Sequence, residues 1–136
     1  MPMIHIWMHR GKDADYKRRI SEGIHAAMVD VLGVTEDTWD HVFNELRPGD
    51  MVYDRNYAGM QRSDDMVFIH FFLNPRPKEM KARFFNAVAD EVTTRAKLAR
   101  TDLMMTLTEQ APENWWAEGR VVDPQTGFDV RMSDRK

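Results

Sequence analysis

The 136-residue sequence predicts an α+β domain: tandem βαβ units forming a four-stranded mixed sheet with two helices on one face, followed by a C-terminal hairpin. Two observations carry that prediction. Short β-branched and aromatic runs alternate with longer stretches whose apolar residues recur every three or four positions. The order then repeats, because Ile6, Ile20 and Trp39 overlay Ile69, Phe84 and Leu103 at a spacing of 63–64 residues. Crossovers between parallel strands are right-handed, so two such units set both helices against the same face of one sheet. The repeat covers residues 2–50 and 66–110 of a single domain, 1–136, with a tail at 117–136.

The elements follow in order. Residues 3–8, "MIHIWM", read as a buried strand, and Pro2 fits ahead of it because the first strand position needs no ladder donor. Residues 13–32 switch to helical spacing, with Tyr16, Ile20, Ile24, Ala27, Met28, Val31 and Leu32 on one stripe and Gly33 placed as the helix stop. Residues 39–46 form a second strand, closed by the turn "RPGD". Residues 66–73 form a third. Pro77 suits the first turn of a helix over 77–98, whose inward side carries Phe84, Phe85, Val88 and Val92. A fourth strand spans 103–108. The tail sequence "VVDPQTGFDV" reads as a hairpin centred on Pro-Gln-Thr-Gly.

Composition narrows the function classes. A net charge of −3 with no basic stretch gives nucleic-acid binding no support. Apolar runs reach about eight residues, far short of a membrane span. No signal-peptide core follows the N-terminus, so a cytoplasmic location is the default. The absence of cysteine excludes disulfides, thiolate metal sites and thiol nucleophiles together. His5, His9, His25, His41 and His70 lack zinc spacing, so no metal is expected, and no phosphate loop or G-x-S-x-G elbow occurs. Strands that are apolar on consecutive residues need cover on both faces, and two helices cover only one. Other copies of the same chain are the simplest cover, which predicts a homo-oligomer.

Four places carry candidate chemistry. Removal of Met1 would leave Pro2 with a free secondary amine, and α-amino groups titrate near neutrality, at roughly 7.7–8.0. Arg76 in "FFLNPRPKEMK" stands between two prolines at a strand-to-helix junction, which presents a rigid guanidinium fork to a carboxylate. Asp37 in "GVTEDTWD" is a carboxylate at a strand entrance, able to orient water or partner an amine. Trp115 and Trp116 in "ENWWAEG" can wall an apolar pocket, or pack one ring inward and cover an interface with the other.

Pro2, the tandem βαβ of this period and an arginine at the exit of the third strand together resemble the tautomerase superfamily, and within it the malonate semialdehyde decarboxylases. The stretches that carry the likeness are "MPMIHI", "IHAAMVD", "ELRPGDMV", "RSDDMVF" and "NPRPKEMKARFF", covering the chain to about residue 110. The resemblance implies catalysis by the amino-terminal proline, with Pro2, Arg76 and Asp37 as catalytic residues and Asn74, Trp115 and Trp116 around the substrate. It implies a small carboxylate substrate, a homotrimer whose C-terminal tail crosses between subunits, and no cofactor. The expected reaction is decarboxylation of a small 3-oxo acid, malonate semialdehyde going to acetaldehyde and CO2, with a possible hydratase side activity. The sequence departs from the decarboxylase pattern at Asn74, where the first of two arginines would stand, and at Thr38, the position nearest the family's acid, immediately after Asp37. The 4-oxalocrotonate tautomerases carry an arginine where this chain has Lys12. Similarity to the cis-3-chloroacrylic acid dehalogenases in "FIH" and "EGR" keeps water addition open as an alternative, with Glu118 next to the expected glutamate position at Ala117. Another tautomerase activity belongs with that alternative, and a non-enzymatic small-molecule-binding oligomer is a third reading.

Overall fold

In the computed structural model, which describes residues 2–125, the two halves fold as the repeat predicts. Strand β1 (Met3–His9) leads into helix α1 (Ala14–Ala27), then β2 (His41–Leu46); β3 (Val67–Leu73) leads into α2 (Lys78–Ala96), then β4 (Leu103–Glu109). The sheet order is β2-β1-β3-β4, with β1–β2 and β3–β4 parallel and the central β1–β3 pair antiparallel, Ile6 facing Ile69. Each parallel pair is one βαβ unit, and the antiparallel seam relates the units by a pseudo-two-fold.

Alternation within the strands decides what each face does. Ile4, Ile6 and Met8 of β1 and Val67, Ile69, Phe71 and Leu73 of β3 are buried under the helices. From the other side come Ile20, Ile24 and Met28 of the first helical segment and Phe84, Val88 and Val92 of α2, all fully buried. At Gly23 the helices approach closely: a Cβ there would lie 3.2 Å from backbone atoms of Glu91 and Val92. Asp13 caps α1 by accepting the Tyr16 N–H at 2.8 Å. The helix widens over Met28–Leu32 and stops at Gly33, whose φ of 69° is the left-handed conformation glycine adopts without strain.

Among the described residues no helix or second sheet covers the opposite sheet face, where Tyr53 of the loop before β3 packs against His9 and Phe68. That face presents Met3, His5, Trp7 and His9 of β1 beside Phe68, His70 and Phe72 of β3, all at least partly exposed. Their rings touch one another: His70 stacks on Phe72 at 4.1 Å and His5 on Trp7 at 5.7 Å. No helix among the described residues is long and apolar enough to cross a membrane.

Several boundaries shift by a residue or two from the sequence reading, and two of them have a visible local reason. Pro77 caps α2 rather than joining it, with ψ at 149°, so the helix starts at Lys78. β2 starts at His41 instead of residue 39, because Trp39 leaves the strand direction to stack on His25 at 3.8 Å. The C-terminal hairpin is present, but its turn is Glu118–Gly119 between β5 (Trp116–Ala117) and β6 (Arg120–Val121). Both turn residues have positive φ, 59° and 83°, as a two-residue type I′ turn requires. The hairpin expected at Pro-Gln-Thr-Gly runs into residues 126–136, outside those described.

Candidate active site

One end of the sheet gathers the starts of β1 and β2 and the ends of β3 and β4, and every candidate residue before the tail lies at that end. Pro2 is buried immediately ahead of β1. Met3 pairs with Phe72, so the same register carried one residue further sets Pro2 against Leu73 and next to Asn74, itself only 9% exposed. The entrance to β2 is tied in by the Ile4 N–H, which donates to the Asp40 carbonyl at 3.0 Å. The exit of β3 is held by the Gln110 N–H donating to the Leu73 carbonyl at 2.8 Å.

Arg76 follows from the chain path "NPRP". Its two prolines hold the backbone extended on either side, and its guanidinium folds back so that Nη1 donates to the carbonyls of Asn74 at 2.9 Å and Pro75 at 3.2 Å. The side chain is half-buried, and that burial lowers its pKa from the ordinary arginine value, opposed by the nearby charge of Glu109. A cation in that situation gains from a bound anion more than a surface arginine does. Glu109, the last residue of β4, accepts the Arg76 main-chain N–H at 2.7 Å on Oε2 and the Lys81 ammonium at 3.0 Å on Oε1. Those two contacts, the amide first, hold its carboxyl below the usual range.

Asp37 sits in the turn before β2, exposed, accepting the Thr35 hydroxyl at 2.5 Å; Thr38 completes the turn with a 2.9 Å contact to the same hydroxyl. The neighbouring wall is a polar chain that the sequence did not reveal. The Trp39 indole N–H donates to Ser21 Oγ at 2.7 Å, and Ser21 Oγ lies 2.7 Å from His41 Nδ1. Burial, with the charge of His25 as a lesser cause, lowers His41 to about 4, so it stays neutral at physiological pH. The two tryptophans part company: Trp115 turns inward, its indole nitrogen buried, while Trp116 is 69% exposed on the hairpin.

A cavity of about 420 Å³ opens at the opposite end of the sheet, lined by Arg10, Lys12, Tyr16, Arg55 and Asp65 among others. None of the six candidate residues lines it. It is the pseudo-two-fold counterpart of the Arg76 end, and there Lys12 is already paired with Asp65 at 2.8 Å.

Comparison with known proteins gives the family and the fold. Two family models, each described as tautomerase enzyme, match the chain, one over residues 40–116 and the other over residues 2–61. The chain is 25% identical over 116 residues to the probable tautomerase YusQ of Bacillus subtilis (strain 168), covering 85% of this chain and 91% of that protein. A crystal structure of malonate semialdehyde decarboxylase superposes with a TM-score of 0.81 at 23% identity, over 88% of this chain and 93% of the other. The FG41 malonate semialdehyde decarboxylase inhibited by 3-bromopropiolate gives 0.78 at 28% identity, over 84% and 87%.

Proposed function

The chain belongs to the tautomerase family, and from that premise we propose that it is a cofactor-free decarboxylase of a small 3-oxo acid, with malonate semialdehyde as the substrate. The observation that carries the proposal is the Arg76 guanidinium: half-buried, rigidly mounted, and without a carboxylate partner among the described residues. It lies at the sheet end where Pro2 immediately precedes the first strand.

The mechanism requires removal of Met1, which leaves Pro2 with a secondary amine. Arg76 binds the substrate carboxylate and sets the bond to be broken out of the plane of the neighbouring carbonyl. Protonated Pro2 donates a hydrogen bond to the carbonyl oxygen. The carbon–carbon bond breaks, CO2 leaves, and its electron pair passes into the carbonyl as an enolate, which a proton at the α-carbon converts to acetaldehyde. One donor aimed at such a developing oxyanion is worth roughly 2.7–4 kcal/mol of barrier. Asp37 partners the amine, Asn74 narrows the anchor to a single arginine, and Trp115 keeps the CO2 side apolar. An iminium between Pro2 and the aldehyde is the covalent variant of the same chemistry, and borohydride trapping on Pro2 separates the two routes.

The same proposal extends to assembly. The ring-rich sheet face needs cover, and a homotrimer with that face inward supplies it.

The test is product analysis by proton NMR with malonate semialdehyde and with both 3-chloroacrylate isomers. Acetaldehyde formation without chloride release is the expected outcome. Rapid chloride release without acetaldehyde would assign the site to water addition instead, with Asp37 or Glu118 activating the water.

A further inference from the structure

The two halves of the fold treat their pre-helix cation differently. Lys12 precedes Asp13, the cap of α1; Arg76 precedes Pro77, the cap of α2. At the α1 end, the Asp65 carboxylate lies directly on the Lys12 ammonium at 2.8 Å, so that cation is neutralised from within the chain. At the α2 end the acid Glu109 is bonded to the Arg76 main chain, yet it makes no ion pair with the guanidinium. Glu109 spends one oxygen on the Arg76 main-chain N–H at 2.7 Å and the other on Lys81 Nζ at 3.0 Å. Among the described residues the guanidinium hydrogen-bonds only to carbonyls, with the Glu109 charge acting on it through space.

We propose that Lys81 is a positioning residue that keeps the Arg76 guanidinium open to a carboxylate ligand by holding Glu109 away from it. The inference rests on the reading of Arg76 as the carboxylate anchor. Its physical basis is a competition between two carboxylates for one fork. Glu109 is tethered beside Arg76 through the main-chain bond, so its effective concentration there far exceeds that of a dissolved ligand. A bidentate guanidinium–carboxylate pair is also among the strongest contacts open to it. Lys81, one turn into α2 with its ammonium between the helix and the end of β4, occupies Oε1 and removes that option. Without the ammonium, Oε1 turns to the nearest remaining cation, Arg76, and the α2 end comes to resemble the Lys12–Asp65 end.

The experiment measures malonate binding by isothermal titration calorimetry to the full chain and to Lys81→Met, Lys81→Arg, the double variant Lys81→Met/Glu109→Gln, and Arg76→Met, with thermal melts confirming that each is folded. Lys81→Met should weaken malonate binding about tenfold, the scale of one charge-assisted hydrogen bond. Lys81→Arg should bind like the parent, and the added Glu109→Gln should restore affinity to within about twofold of the parent, because the amide no longer competes as an anion. In turnover the Lys81→Met effect should fall on KM and leave kcat unchanged. Parental affinity in Lys81→Met, or a double variant as weak as the single one, would overturn the proposal. Binding that persists in Arg76→Met would remove the anchor, and the inference with it. An effect of Lys81 that Glu109→Gln reverses supports the inference even if malonate semialdehyde proves not to be turned over.

Discussion

Replacing Arg76 by methionine should separate function from stability. The stem of the side chain is retained, while the guanidinium is lost together with its two contacts to the Asn74 and Pro75 carbonyls. Each such hydrogen bond is worth about 1 kcal/mol net, a loss partly offset because a desolvated cation no longer has to be accommodated. The Arg76 main-chain N–H still donates to Glu109. The net change in stability is therefore about 1 kcal/mol or less, a shift of roughly 5 °C at most in the melting temperature. Loss of a charged fork should weaken carboxylate binding by about 10- to 100-fold. Arg76→Lys, which keeps the charge and loses the fork, should fall between. Calorimetry with malonate and a thermal melt on the same samples give both numbers. Unchanged malonate affinity in Arg76→Met, or a loss of affinity that merely tracks unfolding, would refute the reasoning.

Gly23→Ala should destabilise the fold by about 1 kcal/mol: overpacking costs roughly 1–3 kcal/mol and the better helix former returns about 1. A Cβ at 3.2 Å meets backbone of α2 that cannot rotate away, and a chemical melt measures the outcome. His41, depressed to about 4 in the folded chain against 6.5 for an unperturbed histidine, binds its proton more readily once unfolded. Its neutral burial thus supports stability above pH 6.5 and loses that contribution as the pH falls toward 4, so His41→Gln should flatten the stability profile across that window. Trp7→Glu, on the ring-rich face, should give a smaller species in sedimentation velocity with parental secondary structure by circular dichroism; an oligomer of parental size would contradict the proposed interface.

The strands and helices were legible because periodicity survives folding: the stripe from Tyr16 to Met28 is the face that α1 and its extension turn to the core. What the sequence could not show was contact between distant positions. The prolines around Arg76 announced a mounted guanidinium, but Glu109 and Lys81 are separated from their partners by 33 and 28 positions and gave only one faint signal, an acid closing the strand "LMMTLTE". Trp39 read as strand by its type and left the strand for a ring contact that no local pattern encodes. The hairpin turn fell at Glu118–Gly119 because a two-residue loop needs two positive φ angles, and glutamate in the first of them is not a turn signal that composition provides. Asp37 was readable as a loop carboxylate, whereas its bond to Thr35 was not.

The most direct test of the central claim is turnover of malonate semialdehyde, followed by proton NMR, by the chain with Pro2 as its first residue and by the same chain carrying a Gly-Ser extension ahead of Pro2. Intact mass establishes the N-terminus of each sample. The account predicts that the Pro2 form releases acetaldehyde and CO2, while the extended form, its proline nitrogen now an amide, binds malonate through Arg76 and releases neither. Equal rates of acetaldehyde formation from the two forms would contradict it.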